Sequence, residues 1–173
     1  MERKRDREER LAEARDLHYR ALEAFQEERY GESRRLLEES RDIRKEEKDY
    51  KGLTQAYALE GDLALVEKRV EEAQNHYQKG LILSREHGVR EGEATLSWKM
   101  GQFLIQAGAV GDGLLLLKSG VSIFEEQGYP DMDSLRGESE EYFRKLPQQL
   151  QEMLARYDLS ELDRAFFIYQ RAL

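Results

Sequence analysis

The chain has 173 residues, of which 37% are charged and 39% hydrophobic, with two prolines, no cysteine and a formal net charge of -8. That length suits one domain with a real core, and the usage, rich in Glu, Leu, Arg and Ala, favours helices over strands. The acidic balance disfavours nucleic acid and anionic membrane, the missing cysteine removes disulfides and thiolate metal sites, and no stretch approaches the ~20 apolar residues of a membrane span.

The first stretch, MERKRDREERLAE, has no apolar core of the kind a leader peptide needs, so the expectation is a cytoplasmic protein. Its charges of both signs, three and four apart, can pair along a helix. Residues 1–13 are therefore predicted to form a charged, solvated helical extension that frays.

From there the chain repeats itself. The segments RALEAFQEERYGESRRLLEESRDI, EGDLALVEKRVEEAQNHYQKGLIL and MGQFLIQAGAVGDGLLLLKSGVSI begin at Arg20, Glu60 and Met100, forty residues apart without a gap. Ala21, Gly61 and Gly101 then coincide, as do Ser33, Ala73 and Gly113, and Ser40, Gly80 and Gly120. Apolar columns run beside them: Phe25, Leu65 and Ile105; Tyr30, Val70 and Val110; Leu37, Tyr77 and Leu117; Ile43, Leu83 and Ile123. Small columns let two helices cross closely, and large ones fill the space beside the crossing. The predicted units are residues 14–53, 54–93 and 94–133.

The links between units carry their own signals. SREHGVREGEA has Gly88, suited to a left-handed helix end, and FEEQGYPDMDS offers Gly128 and Pro130, whereas RKEEKDYKGLT lacks the glycine. Within the third unit, QAGAVGDGLLLLKSG raises the question of a phosphate loop. Lys118 and Ser119 lie a full turn beyond Gly113, and the preceding ATLSWKMGQFLIQ has helical rather than strand periodicity. The expected reading is that Gly108 ends a helix and Gly113 serves close packing.

Residues 134–173 read as a degenerate fourth unit with capping helices. Glu141 stands where the other units place a small residue, Pro147 suits the start of a short helix, and Ser160 with Asp163 marks another. Leu159, Leu162, Phe166, Tyr169 and Leu173 form one apolar stripe on the last helix, as a terminal cap needs.

These columns resemble the tetratricopeptide repeat family in its long, forty-residue variety, across about residues 14–133. HEAT-type repeats share the approximate period, so the small-residue columns carry the resemblance. It implies an all-α fold, an alpha-alpha superhelix of stacked helical hairpins with C-terminal capping helices. It also implies a concave surface, lined by the first helix of each hairpin, that binds peptides or helices. By that resemblance the surface comprises Arg15, His18, Leu22 and Gln26; Gln55, Ala58, Leu59, Asp62 and Val66; and Thr95, Trp98, Lys99, Gln102 and Gln106. Chaperone-binding members hold a C-terminal carboxylate with Lys, Asn and Arg. The matching positions here are His18, Leu22, Leu59, Thr95 and Lys99, of which only Lys99 keeps the type, so an apolar or amphipathic segment is the expected ligand. Trp98, the only tryptophan, suits either that surface or the core.

Catalysis has no complete constellation to rest on. His18, His76 and His87 form no spaced ligand set for a metal, and pairs such as Glu71 with Glu72 or Glu140 with Glu141 suit solvated helix faces. No Gly-x-Ser-x-Gly elbow occurs. The expectation is a non-enzymatic scaffold or adaptor without cofactor or metal, binding a protein or peptide. The alternative is a self-assembly module in which the aromatic AFFIYQ segment docks on another copy.

Overall fold

The structure is a computed structural model that describes residues 2–127 and Gln148. The predicted caps at 134–173, with the start signals at Pro147 and Ser160, and the link at Gly128 and Pro130 lie outside the described residues. Six α-helices account for nearly all of 2–127: α1 Glu2–Gln26, α2 Tyr30–Glu46, α3 Tyr50–Val66, α4 Val70–Glu86, α5 Arg90–Gln106 and α6 Val110–Glu126. No strand occurs among the described residues. The fold is all-α, of the class built from repeated helical hairpins.

Among the described residues every helix from α2 onward has 17 residues. The linkers are residues 27–29, 47–49, 67–69, 87–89 and 107–109, so a new helix starts every twentieth position. All five linkers are built alike. The middle residue is left-handed, with φ of 61° at Glu28, 54° at Lys48, 61° at Lys68, 66° at Gly88 and 88° at Gly108. The third residue then donates its N–H to a carbonyl five residues back, as from Arg29 to Ala24, Asp49 to Arg44, Arg69 to Ala64, Val89 to Ser84 and Ala109 to Leu104, at 2.7–2.9 Å. In four linkers the carbonyl of that third residue accepts the first N–H bond of the next helix, from Ser33, Leu53, Ala73 and Gly113. Gly88 and Gly108 behave as expected, while Lys48 adopts the same conformation without being glycine.

The chain divides into two compact units, residues 1–92 and 93–173. In the first, α1 pairs with α2, α3 pairs with α4, and α2 and α3 join the two hairpins. The core there is Leu17, Ala21, Leu36, Leu37, Ala56, Leu59 and Leu63, with Phe25, Tyr30 and Ile43 against it. Two buried serines allow the α1–α2 crossing: Ser33 Oγ donates to the Ala21 carbonyl and Ser40 Oγ to the Ala14 carbonyl, each at 2.7 Å. The α3–α4 crossing works differently. Gly61 faces the ring of Tyr77 so closely that any Cβ would overlap it, and the Tyr77 hydroxyl donates to Asp62 Oδ1 at 2.7 Å.

In the second unit the columns of the first hairpin recur with glycine in place of serine. A Cβ on Gly113 would stand 2.7 Å from the Gly101 carbonyl oxygen, and one on Gly120 would stand 2.9 Å from that of Ala94. The expected packing role of Gly113 is what the structure has. Helix pairs α3/α4 and α5/α6 begin at Tyr50 and Arg90, slightly ahead of the predicted unit starts, because the columns mark helix interiors rather than caps.

The charged extension is the first part of α1, continuous with the rest of that helix. Arg5 and Glu9 pair along it as expected. Two of its arginines reach further than the sequence suggests: Arg7 donates to the Glu47 carbonyl at 3.0 Å, and Arg10 pairs with both Glu46 and Glu47.

Candidate functional site

Helices α1 and α3 both run antiparallel to α2, so they run parallel to each other, and equivalent positions forty residues apart lie side by side. On α1 the stripe is Arg15, His18, Leu22 and Gln26, at separations of three and four. Arg15 and Gln26 are exposed, Leu22 is 37% exposed and His18 is half-buried. Tyr19, 69% exposed, falls on the same stripe and completes its apolar part; its spacing from Arg15 and Leu22 was the available signal. On α3, Gln55 and Val66 are exposed and Asp62 is half-buried, its carboxylate engaged by Tyr77.

Three of the expected surface residues lie inside. Leu59 packs in the core shared by α1, α2 and α3 with Leu17 and Ala21, and Ala58 beside it is buried. Trp98 on α5 is only 3% exposed, which is the core alternative for that residue. Thr95, Lys99 and Gln102 are half-buried, and Gln106 is exposed.

Beneath the amino-terminal end of this face lies a residue that sequence reasoning missed. Arg44 comes from α2 and is 2% exposed. Its Nη1 stands 3.5 Å from Gln55 Oε1, and its Nε stands 3.9 Å from Asp49 Oδ2. Asp49 also caps α3, accepting the Gly52 N–H at 3.1 Å. Burial lowers the Arg44 pKa despite Asp49, and Arg15 adds like-charge repulsion. Burial, reinforced by the Arg44 charge, pushes His18 down to about 4, so its imidazole is neutral at pH 7.

A second polar cluster joins the two hairpins of the first unit. Glu60 on α3 pairs with Arg41 on α2, and its Oε2 lies 3.0 Å from His76 Nδ1 on α4. His76 Nε2 lies 3.6 Å from Glu72. Arg34 pairs with Glu67, and Arg69 with both Glu67 and Glu72. Burial alone would raise the Glu67 pKa, but hydrogen bonds from Arg34 and Arg69 hold it below the usual carboxylate range. A His–carboxylate pair is the raw material of general-base chemistry. Here its surroundings are two further ionic partners and the ring of Tyr57, with centroids 6.3 Å apart, an arrangement that ties three helices together. Glu72 thus serves this strut rather than a solvated face.

No group of three or more metal-ligating side chains forms among the described residues, and no described helix is long and apolar enough to cross a membrane. Neither a protein-family model nor a curated protein matches the sequence.

Proposed function

We propose that this chain is a tetratricopeptide-like, non-enzymatic interaction scaffold whose first-helix face binds an apolar or amphipathic segment of a protein partner. One observation carries the reading: Tyr19, Leu22 and Val66 are left uncovered on the α1/α3 face, at 69%, 37% and 43% exposure, among polar Arg15, Gln26 and Gln55. An apolar strip with polar margins is the surface that helix-in-groove and extended-peptide ligands use. Trp98, being interior, supports the fold rather than supplying contact area.

The test is to pan a library of random peptides of about twelve residues, the length of a short recognition segment, against the full chain. Enriched peptides rich in apolar residues are expected. Their affinity should fall about tenfold in Leu22→Asp, as for loss of a central contact. Salt should weaken binding only slightly, because apolar burial dominates. Enriched peptides that bind Leu22→Asp unchanged would place the ligand elsewhere. Light scattering of the same protein, if it reveals self-association lost in Leu22→Asp, would favour assembly of copies instead.

A further inference from the structure

A buried cation ordinarily has a close, well-aligned anion, because an uncompensated charge in the interior is costly. Arg44 has only a distant one. Its nearest carboxylate, Asp49, stands 3.9 Å from Nε and also caps α3, and that Nε makes no hydrogen bond. Nδ1 of His18, also buried, makes none either. Above them Arg15 is exposed and forms no ion pair among the described residues, and Gln55 presents its amide beside the guanidinium. Cationic and donor groups thus converge at the amino-terminal end of the α1/α3 face, with Asp49 as the one carboxylate paired with Arg44. At the other end lie Leu22 and Val66, and the acid on α3 there, Asp62, is held by Tyr77.

From this polarity we infer that the partner segment carries an acidic side chain, whose carboxylate docks on Arg15, His18 and Gln55 over Arg44 while an apolar side chain of the same segment covers Leu22. The inference rests on the groove reading above and gives it direction and chemistry. Arg15 and Leu22 are about 10 Å apart along α1 at ~1.5 Å per residue. An extended ligand advances ~3.3 Å per residue, so acid and apolar side chains sit about three residues apart. The carboxylate adds negative charge beside Arg44, whose paired Asp49 stands 3.9 Å away, and as an ionised acceptor it takes stronger hydrogen bonds from Arg15 and His18 than a neutral group would.

Peptides enriched on the full chain test it. They should carry Asp or Glu about three residues from a large apolar residue, and Glu→Gln in the peptide should weaken binding about tenfold, as for a partly buried charge pair. Arg15→Gln, a surface change that leaves the core untouched, should abolish that Glu-over-Gln preference. The His18 imidazole resonances should shift on titration with the Glu peptide and not with the Gln peptide. Enriched peptides without an acid, or with equal affinity after Glu→Gln, would overturn the inference and leave the apolar groove standing. No enrichment, or enrichment indifferent to Leu22→Asp, would overturn both.

Discussion

A single methyl group decides how α3 meets α4. At the equivalent positions the first hairpin has Ala21 and Leu37, both in its core, whereas in the second Gly61 stands against the ring of Tyr77, so a smaller residue accompanies the larger one. Tyr77 is fully buried and its hydroxyl is anchored on Asp62, so the ring cannot swing aside cheaply. Gly61→Ala is expected to destabilise the chain by about 1–3 kcal/mol through overpacking, measured by chemical denaturation. Gly61→Ala with Tyr77→Leu recreates the Ala–Leu pair of the first hairpin. The double variant should be more stable than Gly61→Ala alone, giving a favourable coupling in a double-mutant cycle. An additive result would mean that the crossing is not set by this pair.

The linkers show which features of an element are legible in a sequence. Gly88 and Gly108 announce the left-handed position at helix ends, and the columns forty residues apart announce the hairpins. Glu28, Lys48 and Lys68 announce nothing, because a left-handed residue without glycine costs only about 1–2 kcal/mol, which packing on both sides can override. Lys48→Gly removes that strain at the expense of a more flexible unfolded chain, for a net stabilisation of about 0.5–1 kcal/mol. Gly88→Ala should destabilise by a similar amount. Both are read from thermal or denaturant midpoints, and a destabilised Lys48→Gly would contradict the shared-linker account. The candidate face was legible as a stripe but not as a depth. Leu59 fits that stripe and also the core, and period alone cannot tell which side of α3 a neighbouring hairpin covers. Arg44 was illegible for a related reason: it belongs to a second helix, and its importance lies in what approaches it through the fold.

At the scale of the whole molecule, buried polar groups make stability respond to acid. In the unfolded chain His18 titrates near 6.5, and in the fold near 4, because burial and Arg44 disfavour its cation. Between those values the unfolded chain binds the extra proton, so stability is complete above 6.5 and is lost as pH falls toward 4. Glu67, held low by Arg34 and Arg69, adds its loss only below the ordinary carboxylate range. Wild type should therefore lose about 1–2 kcal/mol more than His18→Gln between about pH 6.5 and pH 5, as measured by denaturation across that range. Equal losses would mean that His18 titrates normally in the fold.

The uniform linkers carry one more consequence, for how such a chain can change length. Loops are usually where insertions are absorbed. Here each linker closes one helix within three residues and four of the five also open the next with the last of them, and the next helix must present its small residues to a crossing with little clearance. One added residue that is taken into the following helix turns the rest of that helix by about 100°, carrying Gly61 or Gly113 away from the crossing it fits, and one left in the linker breaks its closing hydrogen bonds. A one-residue insertion in a linker should therefore destabilise the chain, whereas adding a whole helical hairpin keeps every crossing in register, so these short connecting segments are expected to tolerate a change of length poorly.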